Sequence, residues 1–158
     1  PLSALEVSMA IILAAITRSF LIGLISIIVF SLIVEVPISN ILFIFIFGFL
    51  AAFILGSVGF IAGLWAEKFD HTATVTNFII TPLSFLSGVF YSIDKLPVFF
   101  QTISHINPFF YMIDGFRYGF LGNSDGSITV GLIYLTILSL TMWYVAFYLY
   151  QKGYKIKS

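Results

Sequence analysis

The chain has 158 residues, 60% of them hydrophobic and 9% charged, with a mean hydropathy of +1.11 and a formal net charge of zero. A water-soluble domain of this size needs several times as many charges to cover its surface, so composition excludes one and assigns the chain to a membrane. The balanced charge points away from nucleic acid and acidic macromolecules, and the lack of cysteine removes disulfides, thiolate metal sites and thiol nucleophiles.

The chain starts at Pro1 with no cleavable signal peptide ahead of its first apolar run, and is expected to be a fragment or processed form lacking an N-terminal portion. Ser3 with Glu6 three places on forms a capping box, which opens a helix. The apolar run that follows reaches about Val36, interrupted by Arg18. Some 30 helical residues extend ~45 Å, more than a ~30 Å hydrocarbon core. The expectation is therefore a leading segment, residues 1–16, along or below the inner surface, and a span at about 17–36 that Glu35 and Pro37 end.

The second run, about 41–66, carries no charge. Gly48, Ala52 and Gly56 recur every fourth residue, as do Gly59 and Gly63. Such a face lets a second helix approach closely in lipid; the plainer alternative is that glycine is common in membrane helices. Trp65 and then Glu67, Lys68, Asp70 and His71 mark the exit from the bilayer.

The third run, about 72–91, is more polar, with Thr74, Thr76, Asn77, Thr81, Ser84 and Ser87 along it. Pro82 removes a backbone donor, so a kink or break is expected near residues 78–82. Such a hydroxyl-lined, broken helix is either held by neighbours or borders a wet cavity, or, in the plainer reading, its Thr and Ser bond back to their own helix.

Residues 92–127 then depart from the pattern. Asp94 precedes Leu96-Pro97, and Asn107 precedes Pro108. A polar cap followed by proline starts a helix, which predicts two short helices, about 96–105 and 108–121. Both are amphipathic, bearing Phe99, Phe100, Ile103, Phe109, Phe110, Tyr111 and Phe116. Each is about half as long as a span, so together they are expected to dip into the outer leaflet and return as a re-entrant hairpin over 95–121. Asp114 and Arg117, three apart, share a face. They are either a gate or strut in a polar groove, or an exposed pair worth under about 1 kcal/mol. Gly115, Gly119 and Gly122 offer a second face for close packing.

The fourth run, about 128–150, ends in Tyr148, Tyr150 and Tyr154 with Lys152, Lys155 and Lys157. With Lys68 on the same side and only Lys95 and Arg117 opposite, the positive-inside rule places both ends of the chain in the cytoplasm. The fold class is an all-α membrane protein of four transmembrane helices, with the hairpin between the third and fourth.

No phosphate-binding loop of the GxxxxGK[ST] kind occurs. His71 and His105 have no ligand-spaced partners, so no metal and no cofactor is expected. There is no GxSxG elbow and no acidic pair within a span for a proton relay. The chain is therefore not expected to be an enzyme.

The run Thr81-Pro82-Leu83-Ser84-Phe85-Leu86-Ser87-Gly88-Val89-Phe90-Tyr91, with Leu96-Pro97, Asn107-Pro108 and Asp114-Gly115-Phe116-Arg117, resembles the ABC-2 type permease subunits of ATP-driven exporters. The opening Pro1-Leu2-Ser3-Ala4-Leu5-Glu6 is similar to that family's segment just after its second span. The resemblance implies a partial ABC-2 transmembrane domain over residues 1–158, covering the coupling segment and the third to sixth spans. It implies an inner (plasma) membrane location, a second permease copy as partner in a homodimer, and an ATP-binding subunit that carries the ATPase activity. Pro1, Leu2, Ser3, Leu5 and Glu6 would couple to that subunit. Phe78, Thr81, Pro82, Phe85 and Gly88 would wall the path. Leu96, Pro97, Asn107, Pro108, Asp114 and Arg117 would form the outer gate. The exported substrate would be a glycan, a lipid-linked molecule or a drug-like molecule. The rival readings are a non-transporting membrane scaffold or assembly protein, and an ATP-independent secondary transporter.

Overall fold

The computed structural model describes residues 3–66, 73–89 and 97–153, and these are helical with short connections. In chain order the helices are α1 (Ala4–Ser31), α2 (Ile41–Trp65), α3 (Ala73–Phe85), α4 (Val98–Ile106), α5 (Pro108–Leu121) and α6 (Ile128–Gln151). Of the four expected spans, three are helices long and apolar enough to cross a membrane, namely α1, α2 and α6. The third run, expected over 72–91, holds the shorter helix α3 among the described residues.

Helix α1 opens at the expected capping box. The Ser3 N–H donates to Glu6 Oε2 at 2.7 Å, and the Glu6 N–H donates to Ser3 Oγ at 3.3 Å. One helix runs unbroken from Ala4 through Arg18 to Ser31, so the leading segment and the residues that follow it form a single rod. Arg18 is exposed, while Ile12 and Ile16, six and two residues earlier and so on the opposite side of the helix, are buried against Ala52 and Trp143. A single charge on the outward side thus leaves the packed side intact. The helix also stops short of Val36: the N–H groups of Leu32 and Ile33 donate back to Val29 and Phe30, tightening the last turn, and Glu35 and Pro37 lie beyond it in exposed chain.

The three long helices have fixed relative directions. Phe20 stacks on Phe45 near the start of α2, with ring centroids 5.6 Å apart, while Ala15 lies against Gly56 further along it, so α1 and α2 are antiparallel. Gly131 sits beside Phe47, and Tyr150 meets Phe60 with centroids 5.8 Å apart, so α6 runs parallel to α2. The start of α1 and the ends of α2 and α6 therefore share one end of the bundle. The core between α2, α5 and α6 is Phe47, Leu50, Ile54, Met112 and Leu135.

Close approach accounts for one glycine series and not the other. A Cβ added at Gly56 would lie 3.0 Å from Ala15 Cβ, and one at Gly48 would rest 3.6 Å from Phe116 and 3.8 Å from Phe20. The Gly48-Ala52-Gly56 face is the seat of α1, with Phe116 reaching its upper end. At Gly59 and Gly63 an added Cβ would meet no described atom within 4 Å, so the second pair makes no such contact among the described residues.

The break expected at 78–82 is a π-helical turn, Thr76–Ile80, ending directly before Thr81-Pro82. The widened turn absorbs the donor that proline lacks. Thr81 donates to Thr76 O through both its N–H and, at 3.0 Å, its Oγ1. Ser84 donates to Ile80 O at 2.8 Å, and Ser87 donates to Ser84 O. Thr81, Ser84 and Ser87 thus bond back to their own chain, as in the plainer reading. Gly88, with φ at 78°, ends the segment.

Candidate functional site

The hairpin of α4 and α5 turns on Asn107. Its backbone is extended (φ −73°, ψ 118°), its Oδ1 accepts the Phe109 N–H at 3.0 Å, and Pro108 takes the first helical position, as the sequence requires. Helix α4 begins at Val98, after Pro97; Asp94 and Leu96, its expected cap and first residue, lie outside the described residues.

The polar side chains at the turn are buried, Asn107 being 3% exposed and Ser104 fully buried, while Ile106 between them is 69% exposed. Asn107 Nδ2 donates to Leu83 O at 2.7 Å and Ser104 Oγ donates to Leu86 O at 3.0 Å. The last carbonyls of a helix have no partner of their own, and here the hairpin supplies two for α3. From the other side Tyr134 OH donates to Ile106 O at 2.8 Å. Tyr134 lies two turns into α6, roughly 10 Å below its Ser127 cap. The turn therefore lies alongside the second turn of α6, below the level of its cap.

From the turn α5 climbs back along α2. A Cβ added at Gly115 would fall 2.2 Å from the Phe47 ring, and one at Gly119 would fall 2.8 Å from Ile44 N and 3.2 Å from Asn40 O. Gly119 O accepts the N–H groups of Ser39 at 3.1 Å and Asn40 at 2.8 Å. Gly122, at φ 74°, caps the helix. Gly115 and Gly119 thus make the second close-packing face that the spacing predicts.

The Asp114–Arg117 pair is part of a larger cluster. Asp114 is 1% exposed, which rules out the exposed-pair alternative. Its Oδ1 and Oδ2 accept the N–H groups of Asp125 and Gly126 at 2.8 and 2.9 Å. Arg117 Nη1 donates to Asp125 Oδ2 at 3.0 Å, while Nη2 stands 3.5 Å from Asp114 Oδ1. One cation thus bridges two carboxylates and clasps α5 to the loop ahead of α6. Asp125 was not among the sequence-derived site residues. Its only local signal is an Asp-Gly pair before the Ser127 cap, a turn signature with no charge periodicity.

The other expected residues separate. Gly88 lines a mostly apolar cavity of about 520 Å³ with Phe47, Ala51, Phe109, Phe116 and Arg117. Phe78 (77% exposed), Thr81, Pro82 and Phe85 (55%) instead present an outward face of α3, so the five path-wall residues do not line one surface within the chain. Ser3, Leu5 and Glu6 are exposed at the end of the bundle opposite the 122–127 loop, and Pro1 and Leu2 lie outside the described residues. Among the described residues no cluster of metal-ligating side chains occurs.

The sequence matches the ABC-2 type transporter family over residues 1–121, from α1 through the whole hairpin. The chain belongs to that family. As an ABC-2 permease chain with three helices fit to cross a bilayer, it is a multi-pass membrane protein. It is similar to the inner membrane transport permease YadH of Escherichia coli K12, 39% identical over 109 residues, which is 69% of this chain and 43% of that protein. It is also similar to Nodulation protein J of Sinorhizobium fredii, 26% identical over 103 residues (65% of this chain, 39% of that protein). A third relative, Nodulation protein J of Rhizobium leguminosarum bv. viciae, is 32% identical over 81 residues, covering 51% of this chain and 31% of its own. The ABC-2 chain thus spans about two fifths or less of the length of these relatives. No solved structure matches it.

Proposed function

We propose that this ABC-2 chain belongs to the permease of an ABC exporter, which pairs with a second copy to form the path by which substrate leaves the cytoplasm, driven by ATP hydrolysis on a separate subunit. The membrane is the inner (plasma) membrane, crossed four times, with both ends of the chain cytoplasmic. The observation that carries this reading is the hairpin turn, tied to α3 through Asn107 and to α6 through Tyr134. A turn held in this way, on the opposite end from Ser3 and Glu6, is where a gate belongs if the motor docks at the start of α1. The name of the Escherichia coli relative supports the permease role and the membrane.

In this reading Pro1–Glu6 contacts the ATP-binding subunit. Helix α1 is an unbroken rod of 28 residues, about 42 Å long, and its packing on α2 at Ala15–Gly56 carries displacement into the bundle. The exposed face of α3 (Phe78, Thr81, Pro82, Phe85) meets the second copy across the path, because four slender helices cannot enclose a wide conduit alone. The hairpin, held by Asn107, Pro108, Asp114 and Arg117, closes its outer mouth. Substrates are glycans, lipid-linked molecules or drug-like molecules.

The test is purification of the full-length permease with its ATP-binding subunit, photo-crosslinkers being placed at Ser3, Leu5 and Glu6. Crosslinks to that subunit in a complex that turns over ATP support the reading. An ATP-hydrolysing complex without them removes the coupling role, and failure of any ATP-binding subunit to co-purify returns the chain to the scaffold or ATP-independent class.

A further inference from the structure

The two arms of the hairpin are held in different ways. Helix α5 is built into the bundle: Phe110, Met112, Asp114, Gly115 and Gly119 are buried, its glycines meet backbone and ring atoms of α2, and Asp114 ties it to the loop before α6. Helix α4 has one buried residue, Ser104, and Thr76–Phe85 of α3 has none. Residues Thr81–Phe85 pack against α5, and two hydrogen bonds join the end of α3 to the turn, Asn107 Nδ2 to Leu83 O and Ser104 Oγ to Leu86 O. Both acceptors are carbonyls at the end of α3, just past its π-turn and Pro82, where a helix leaves its last carbonyls without intrahelical donors.

We propose that Asn107 and Ser104 form a latch through which displacement of α3 is passed to α4, with α5 as the fixed wall against which the gate opens. This rests on the proposed function above and names the link that operates its gate. Asn107 serves two purposes through two atoms. Oδ1 caps α5 and Nδ2 holds α3, so the gate arm and the wall meet at one side chain. Ser104, in the last turn of α4, and Asn107, its extended C-cap, lie three apart in sequence and engage carbonyls three apart in the opposite order. These two ties let the end of α4 follow α3. Asn107 and Ser104 are positioning residues that touch no substrate in this account.

The two atoms of Asn107 make the proposal separable from folding. Asn107→Ser retains a side-chain cap for α5 but is too short to reach Leu83 O; Ser104→Ala removes the second bond alone. The full-length permease, with its ATP-binding subunit in liposomes, would carry spin-label pairs at Ile79 and Phe99 (α3 to α4) and at Phe99 and Ile133 (α4 to α6), all exposed positions. Distances are read without nucleotide and after trapping with ATP and vanadate. In the parent protein the Phe99–Ile133 distance shifts on trapping while Ile79–Phe99 stays constant. With Asn107→Ser the Phe99–Ile133 shift shrinks, and in the double variant it is lost, Ile79–Phe99 now changing while ATP turnover persists. A double variant that keeps the parent response, or a parent protein whose Ile79–Phe99 distance changes on trapping, overturns the latch and leaves the proposed function standing. A parent protein with no nucleotide response at either pair overturns the proposed function and the latch with it.

Discussion

Asp114 of α5 holds Gly126 of the following loop, its Oδ2 accepting the glycine N–H at 2.9 Å from a site only 1% exposed. A buried carboxylate with two backbone donors and an arginine is a costly thing to disrupt, because each lost partner leaves a polar group without water to replace it. Asp114→Ala should destabilise the hairpin by about 3–5 kcal/mol, and Asp114→Asn by less, since one amide oxygen still accepts. Thermal unfolding in detergent, with protease cleavage at the 122–127 loop as the local readout, checks the order. Equal stability of all three proteins would remove the clasp from the account.

Arg117 bridges Asp114 and Asp125 from a side chain that is 25% exposed, so its loss costs less than that of Asp114. Arg117→Ala should lower stability by about 1–3 kcal/mol, the Asp114 carboxylate keeping its two backbone donors, while impairing export and leaving membrane insertion intact. Arg117→Lys should rescue it poorly, because a single ammonium cannot reproduce the guanidinium fork. Transport by the alanine variant at the parent rate would remove its role as a strut.

The glycines sort by what surrounds them. Gly119→Ala drives a methyl against Ile44 N and Asn40 O, and Gly115→Ala drives one into the buried Phe47 ring. Each should cost about 1–3 kcal/mol. Gly59→Ala and Gly63→Ala find open space within the chain and should be neutral, or gain up to about 1 kcal/mol of helix propensity. Destabilisation at Gly59 or Gly63 in the full-length protein alone would locate a partner helix there.

Much of this site is legible in residue order. Asn107-Pro108 announces the start of α5 at the residue where it occurs, and Ser3 with Glu6 does the same for α1, because capping is a local affair of three or four residues. Pro82 likewise marks the break in α3, though not that a π-turn takes it up. What resists reading is set by distance in space. Asp125 joins Arg117 across a loop, and Ser104 and Asn107 reach α3 carbonyls 18 and 24 residues away, with no repeat to signal either. The run of α1 past Arg18 follows from the face that charge takes: it is exposed, away from the side that packs on α2, so the helix continues through it.

Pro82→Ala should let α3 regularise, since the restored N–H can join the helical ladder. The variant is expected to be as stable as the parent or more so, and to transport less, because a straight α3 no longer presents Leu83 O and Leu86 O to the latch. Distances between spin labels at either end of α3 report the straightening. Unchanged transport by a straightened α3 would show that the break is incidental.

We place the loop from which the hairpin descends, residues 122–127, on the outer surface of the membrane. The sequence contains no cysteine, so Ser124→Cys, in the exposed loop between α5 and α6, gives a single reporter for an impermeant maleimide. Labelling in intact cells is the predicted result; labelling of Ser124→Cys solely from the cytosolic face of inverted vesicles would contradict the account.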